Sequence, residues 1–91
     1  MSGRPRYIVD IAKHAQRQMR NLPPQLQQRL LNRITALGDH PRPTGATKLT
    51  GPKDLYRIRV GEYRVIYTVK DDVLLVLVVS VGHRSEIYCD L

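Results

Sequence analysis

The stretch YRIRVGEYRVIY, residues 56–67, decides the fold of this chain. Apolar or aromatic residues alternate with mostly charged ones on both sides of Gly61 and Glu62, and a period of two residues is that of a β-strand. Glycine at the first central position of a two-residue loop favours a type II′ turn. The stretch therefore predicts an antiparallel β-hairpin that turns at Gly61 and Glu62.

A two-residue loop fixes which side chains of this hairpin stand opposite each other. Arg59 pairs with Arg64, and Arg57 lies two residues along on the same face, where the hairpin carries no carboxylate. Directly opposed like charges destabilise a sheet, and guanidinium is the side chain best shaped for phosphate. The pattern favours an anion-binding face over the alternative, which is the ordinary solvated face of an antiparallel sheet.

The other face of the hairpin is apolar and needs a covering layer. Its members are Tyr56, Ile58, Val60, Tyr63, Val65, Tyr67 and Val69. Apolar residues at helical spacing predict a first helix from Ile11, with Asp10 as its N-cap, that ends before Pro23 and Pro24. The same prolines open a second helix, which Gly38 ends. We expect this helical hairpin to pack on the apolar face.

The remaining segments predict further strands around the hairpin. Residues 7–9 are β-branched and aromatic, and residues 47–49 form either a brief strand or an ordered turn in a loop-rich region. After a turn at 70–72, residues 73–81 are apolar on both faces, as a central strand would be. The chain, residues 1–91, is thus expected to be a single α+β domain in β-α-α-β-β-β order. Its mainly antiparallel sheet carries a two-helix hairpin on one face.

Composition favours one small domain with a polyanionic partner. The 91 residues include 15 Lys+Arg against 8 Asp+Glu, a net charge of +7 that lies wholly in residues 1–50. Such a charge favours nucleic acid, an anionic membrane surface or an acidic protein as partner, although solubility alone is an alternative. The longest apolar run, residues 73–79, is far shorter than the roughly 20 residues of a membrane helix. The single Cys89 cannot form an internal disulfide, which fits a reducing cytosol.

The other polar residues argue against several chemistries. The three histidines lie on different elements without metal-ligand spacing, so no metal site is expected. No glycine-rich phosphate loop precedes a helix, so nucleoside-triphosphate chemistry is not indicated. An RNA-recognition sheet displays aromatic residues on its open face, whereas the tyrosines of this hairpin lie on the face opposite the arginines. The segment VGHRSEIY, residues 81–88, adds a fourth arginine, Arg84. Beside the arginines, His83 and Tyr88 are candidates for proton transfer and for positioning a hydroxyl; the alternatives are an ordinary surface histidine and a C-terminal packing residue.

Three blocks of the sequence resemble the RelE branch of the RelE/ParE toxin superfamily, namely KLTG at 48–51, the hairpin at 56–67 and VGHRSEIY at 81–88. The element order and chain length agree, so the resemblance covers nearly the whole chain. It implies the toxin of a type II toxin–antitoxin pair, a cytoplasmic mRNA interferase that cuts messages on the ribosome without metal or cofactor. The implied partners are a cognate antitoxin whose acidic or helical segment wraps the toxin, the ribosome and mRNA. Operator DNA would be reached only through the antitoxin, and no membrane is involved.

The resemblance also implies a role for three residues of the candidate site. Arg64 would bind the scissile phosphate, and Arg84 would stabilise charge that develops on the phosphorane and the leaving oxygen. Tyr88 would orient or deprotonate the 2′-hydroxyl that attacks the adjacent phosphate, a reaction that leaves a 2′,3′-cyclic phosphate.

Two positions depart from the family pattern. Arg57 and Arg59 stand where the family's best-known member has two lysines, and an arginine hardly loses its proton. Either they act only electrostatically, or His83 or Tyr88 transfers protons instead. RNA binding is expected of Lys48, Arg57, Arg59, Arg17 and Arg20. The arginines of the helices are equally compatible with an ordinary solvated face.

Two other functions on the same fold stay open. One is a ParE-like toxin that inhibits DNA gyrase without catalysis. The other is a catalytically weak toxin that serves as an antitoxin-bound autoregulator. The set of Arg64, Arg84 and Tyr88 favours the nuclease over the gyrase inhibitor.

Overall fold

The chain forms two helices and five strands within residues 6–51 and 53–84, the part that this computed structural model describes. In chain order they are β1 (Ile8–Ile11), α1 (Lys13–Arg20), α2 (Pro24–Ala36), β2 (Thr47–Lys48), β3 (Leu55–Val60), β4 (Tyr63–Lys70) and β5 (Leu75–His83). The strands form one sheet in the order β1-β5-β4-β3-β2, in which β1 runs parallel to β5 and all other neighbours are antiparallel. The expected α+β fold is confirmed, and the segment left open between strand and turn forms the short strand β2.

The β3–β4 hairpin has the register that a two-residue loop predicts. Arg59 pairs with Arg64, and Val60 pairs with Tyr63 at the end of the ladder. Gly61 has a φ of 61°, whereas the following Glu62 does not have a positive φ. This combination is that of a type II′ turn, and only glycine adopts the first position without strain.

The helical hairpin covers the apolar face of the sheet, as expected. Helix α1 contributes Ala15 and Met19 to the buried core, and α2 contributes Leu30 and Ile34. These side chains pack against strand residues, which are Ile58, Val60, Val65, Tyr67, Val69, Val76, Val78 and Val81. Burial of this apolar area is the main force that holds the helices to the sheet.

The opposite face of the sheet carries the hairpin arginines and is not a uniformly solvated surface. Ile66 alternates with core residues of β4, so it lies on the arginine side, and it is fully buried. Arg57 and Arg64 are half-buried, whereas Arg59 is exposed. Partial burial of two cationic side chains beside an apolar one means that their aliphatic stems are packed rather than free in solvent. This packing favours a formed site over an ordinary solvated face.

The expectation that Asp10 caps the first helix is wrong. The N-cap is Ala12, which forms no side-chain cap, and Asp10 lies inside β1, where its Oδ1 accepts the N–H of Ile11 at 2.9 Å. The strand is longer than expected because pairing with β5 continues past it, and the N–H of Ala12 still donates to the carbonyl of Val78 at 2.8 Å. A long-range pairing therefore sets the start of α1.

The bounds of the last strand also differ from the expectation. β5 begins at Leu75 rather than Val73, because the turn after β4 extends through Leu74, whose φ is 52°. The strand then runs on to His83. A β-bulge interrupts the β4–β5 ladder between Ile66 and Tyr67, which shifts the register of β5 against the hairpin.

Gly38 lies just beyond α2, as expected, but it does not adopt the left-handed conformation with which glycine commonly ends a helix. The helix ends at Ala36, and Gly38 does not have a positive φ. A Cβ on Gly38 would lie 3.0 Å from the carbonyl oxygen of Tyr7, and the carbonyl of Gly38 accepts the N–H of Tyr7 at 2.8 Å. Glycine is needed here because the start of β1 approaches the backbone closely.

Candidate active site on the β3–β4 hairpin

The register brings three arginines to one face, which we call the arginine face: Arg57, Arg59 and Arg64. β2 adds Thr47 to it, because Thr47 pairs with Arg57 and its Oγ1 accepts a hydrogen bond from Arg57 Nη2 at 3.4 Å. Within residues 6–51 and 53–84, Arg59 makes no ion pair. Like charges directly opposed in a β-ladder repel each other, and a bound phosphate would relieve the repulsion.

Arg84 joins this cluster at the end of β5. Its backbone N–H donates to the carbonyl of Glu62 at 2.9 Å, and its own carbonyl accepts a hydrogen bond from Arg64 Nη1 at 3.3 Å. Arg84 Nε also lies 3.3 Å from Glu62 Oε1. The guanidinium of Arg64 therefore lies beside the backbone of Arg84.

The contact with Glu62 was missed by sequence reasoning. The strands of the hairpin carry no carboxylate on the arginine face, but the turn between them supplies one at its edge. Arg84 is thus paired with a carboxylate of the same chain, while its side chain remains 64% exposed. The sequence did contain a signal for this contact. In a two-residue loop, residue 62 directly precedes β4, so it lies beside the end of the strand that pairs with β4.

His83 does not lie on the arginine face. It pairs with Tyr63, whose side chain packs against the core, and the two rings meet edge to face with centroids 5.6 Å apart. His83 Nε2 lies 4.0 Å from Glu62 Oε1. Because directly paired residues share a face, the histidine points to the helical side of the sheet. The expectation that it transfers protons beside the arginines is not supported by this placement.

The expected RNA-binding residues are divided between the two faces. Lys48 pairs with Tyr56 on the helical side, and its Nζ lies 3.5 Å from Asp54 Oδ1. Arg17 and Arg20 are exposed on α1, which packs on the face opposite the arginine face. The structure therefore does not bring these three cations to the candidate site, and only the strand arginines remain there.

Tyr88 lies outside the described residues. Its implied role toward the 2′-hydroxyl therefore stays a prediction. Among residues 6–51 and 53–84, no group of three His, Cys, Asp or Glu side chains comes together that could hold a metal ion. In the same part of the chain, no helix has the length and apolar character needed to cross a membrane.

A second arginine cluster, which the sequence did not indicate, lies at the other end of β4. Arg42 donates from Nη1 and Nη2 to the two carboxylate oxygens of Asp71 at 3.1 and 2.8 Å, and from Nε to the hydroxyl of Tyr56 at 2.9 Å. The hydroxyl of Tyr7 donates to Asp71 at 2.6 Å. Hydrogen bonds from Arg42, and then from Tyr7, lower the pKa of Asp71 to about 2.

Tyrosines complete the packing around this second cluster. The rings of Tyr56 and Tyr67 stack with centroids 5.7 Å apart, and the hydroxyl of Tyr67 donates to the carbonyl of Pro41 at 2.7 Å. Burial raises the pKa of Tyr67 to about 12. The loop that carries Arg42 is therefore fixed to the sheet through both its backbone and its guanidinium.

Comparison with known proteins identifies the family. The model of the ParE toxin of type II toxin–antitoxin systems matches residues 6–88. The mRNA interferase toxin RelE of Escherichia coli K12 is 33% identical over 88 residues, which are 92% of each chain. The crystal structure of the isolated E. coli RelE toxin superposes with a TM-score of 0.74 at 32% identity, covering 92% of this chain and 93% of that one.

An archaeal relative has the same fold. RelE in the RelE–RelB complex from Pyrococcus horikoshii superposes with a TM-score of 0.76 at 32% identity, covering 86% of this chain and 94% of that one. The resemblance stated from the sequence is therefore confirmed. This chain belongs to the ParE toxin family of type II toxin–antitoxin systems, and the relatives it resembles are RelE toxins.

Proposed function

We propose that this chain is the toxin of a type II toxin–antitoxin pair and stops translation by cutting mRNA on the ribosome, in the cytoplasm. The observation that carries the proposal is the arginine face, with Arg84 held beside Arg64 at its edge. Similarity to proteins named mRNA interferase RelE over nearly the whole chain supports the same activity.

The reaction that suits this site is an internal attack within the RNA. The 2′-oxygen forms a bond to the adjacent phosphorus, the bond from phosphorus to the 5′-oxygen breaks, and the products are a 2′,3′-cyclic phosphate and a 5′-hydroxyl. A proton must leave the 2′-oxygen, and another must reach the 5′-oxygen. Negative charge accumulates on the phosphorane between these steps, and fixed guanidiniums stabilise it.

The described residues divide this work by position. Arg64, half-buried near the start of β4, binds the scissile phosphate. Arg84 stabilises charge on the phosphorane and the leaving oxygen. Arg57 and Arg59 bind the flanking phosphates and transfer no protons, because a guanidinium stays charged. Tyr88 acts on the 2′-hydroxyl in this scheme.

The partners follow from the family and from the charge. The solved structures of relatives include RelE bound to RelB antitoxin from E. coli and from P. horikoshii. We propose that a cognate antitoxin, whose acidic or helical segment wraps this chain, binds and inhibits it, and that operator DNA is contacted only through the antitoxin. A net charge of +7 suits both an acidic peptide and RNA.

Mapping mRNA 5′ ends after induction of the chain without its antitoxin tests this proposal. The wild type should stop translation and produce new 5′ ends within codons, whereas Arg64→Ala and Tyr88→Ala should lose most of the cleavage while remaining folded. Lys70→Ala is a matched control, because Lys70 is an exposed cation of the same strand at its far end. Cleavage should persist in that variant.

Other outcomes of the same experiment favour the other two functions. DNA breaks and an SOS response with intact mRNA would overturn the nuclease in favour of gyrase inhibition. Normal growth after induction of a folded protein would favour an autoregulator without toxicity.

A further inference from the structure

Glu62 contacts Arg84 of the candidate site through both its backbone and its side chain. Its main-chain carbonyl accepts the backbone N–H of Arg84 at 2.9 Å, and its Oε1 lies 3.3 Å from Arg84 Nε. Two contacts between the same two residues, one from the backbone and one from the side chain, restrict both the position and the orientation of Arg84. We infer that Glu62 is a positioning residue, which orients the guanidinium of Arg84 toward the scissile phosphate.

The backbone contact explains why Arg84 stays beside the hairpin after β5 ends. The last pair of the β4–β5 ladder joins Tyr63 to His83, and Arg84 follows it. The carbonyl of Glu62 provides one more hydrogen bond beyond that pair. Because the type II′ turn at Gly61 fixes the direction of this carbonyl, the turn itself determines where Arg84 lies.

The side-chain contact with Glu62 is made at the Nε of the guanidinium, which lies 3.3 Å from Glu62 Oε1. A guanidinium presents five N–H donors in a planar fork, so one edge can be held by a carboxylate while the other binds two phosphate oxygens. Arg64 Nη1 donates to the backbone carbonyl of Arg84 at 3.3 Å, so the Arg64 guanidinium lies beside the main chain of Arg84.

A carboxylate near an anion site could instead compete with the phosphate for Arg84. Both side chains are largely exposed, 64% for Arg84 and 67% for Glu62, so solvent screens the repulsion between Glu62 and a bound phosphate. The carboxylate comes closest to Nε, the guanidinium nitrogen nearest the side-chain stem, which favours positioning over competition for a phosphate. The two roles predict opposite effects of mutation.

The inference rests on the proposed function, and single-turnover cleavage of mRNA on programmed ribosomes tests it with Glu62→Gln and Glu62→Ala. Glutamine keeps an acceptor oxygen at the same place without the charge, so Glu62→Gln should retain the rate constant of the wild type within about threefold. Alanine removes the acceptor, so the rate constant for cleavage should fall by about tenfold or more. The concentration that gives half of the maximal cleavage rate should change little. A role of Glu62 in folding alone would not predict that Glu62→Gln retains the cleavage rate constant that Glu62→Ala loses.

Two results would overturn the inference. Tighter half-saturation in both variants would show that Glu62 competes with the phosphate, and a rate constant for Glu62→Ala equal to that of the wild type would show that orientation does not matter. Asp54→Asn and Asp54→Ala are matched controls, because Asp54 is an exposed carboxylate paired with Lys48 away from the arginine face. Both should cleave as the wild type does.

A second readout separates this inference from the proposed function. The Nε–H resonance of Arg84 in NMR spectra should be protected from solvent exchange in the wild type and in Glu62→Gln, and should lose protection in Glu62→Ala. A wild type that fails to cleave mRNA but keeps this pattern would overturn the proposed function and leave the positioning contact standing. Equal exchange in all three proteins would overturn the positioning contact whatever the activity.

Discussion

The two ends of β4 use arginine in contrasting ways. At the end near the β4–β5 turn, Arg42 donates from three nitrogens to Asp71 and Tyr56, so the protein itself neutralises it. At the other end, Arg59 stands opposite Arg64 in the β-ladder and makes no ion pair with any described residue. The difference shows that one sheet can hold an arginine neutralised by two carboxylate contacts, as Arg42 is, and an arginine whose charge no described residue compensates, as Arg59 is.

The largest effect expected from this contrast is on catalysis by Arg64. Arg64→Ala should lower single-turnover mRNA cleavage by about 10²- to 10³-fold, because it removes a charge aimed at the phosphorane. Arg42→Gln should leave cleavage within about threefold of the wild type, because Arg42 is already bound to Asp71. Cleavage that depends on Arg42 more than on Arg64 would reverse the assignment of the two ends.

Thermal stability should depend more on Arg42 than on the arginines of the arginine face, the reverse of the order expected for cleavage. Arg42→Gln should lower the Tm by roughly 2–6 °C, because it removes both hydrogen bonds to Asp71 and the one to Tyr56 from a domain of this size. Arg59→Gln should leave the Tm unchanged or raise it slightly, since it relieves repulsion from Arg64. Thermal unfolding followed by circular dichroism measures both. A lower Tm for Arg59→Gln than for Arg42→Gln would contradict the contrast.

Acid should weaken the contact between Arg42 and Asp71 as the carboxylate of Asp71 becomes protonated. The pKa of Asp71 falls from its ordinary value of 3.8 to about 2 in the folded chain. Because the folded value lies below the unfolded one, the stabilisation is fully present above about pH 5 and is lost as the pH falls toward about 2. The Tm difference between wild type and Asp71→Asn should therefore shrink over that range. A difference that is constant with pH would show that ionisation of Asp71 does not contribute.

The smallest effect is expected from exchanging one cation for another on the arginine face. Arg59→Lys should keep cleavage within about fivefold, because an exposed side chain that acts electrostatically needs only its charge. The measurement is the pH profile of cleavage from neutral to alkaline pH. A new alkaline rise in this variant would show that the position can transfer protons once it carries a lysine.

Much of the hairpin could be predicted from the sequence, because local rules determine it. A two-residue loop with glycine first sets the pairing of Arg59 with Arg64, and the alternation of the strands sets their face. The face of His83 could not be predicted in this way, because it depends on the β4–β5 register and on a bulge that no local pattern indicates. The same applies to the start of α1, which the pairing of β1 with β5 delays past Asp10.

The Arg42 cluster was missed for a related reason. Arg42 and Asp71 are 29 residues apart and meet only when the loop after α2 packs against the β4–β5 turn. Neither residue belongs to a periodic pattern, so nothing in the sequence distinguishes Arg42 from the arginines of the hairpin. Only the contact shows that its charge is already compensated.

The most direct test of the account is the position of the scissile phosphate in a structure of the toxin on a programmed ribosome. A 2′-O-methyl group on the attacking nucleotide would block the reaction and hold the substrate in place. We predict that the scissile phosphate lies within about 3 Å of guanidinium nitrogens of Arg64 and Arg84, while Arg42 stays bound to Asp71. A scissile phosphate placed away from the arginine face, or bound by Arg42 after release from Asp71, would contradict it.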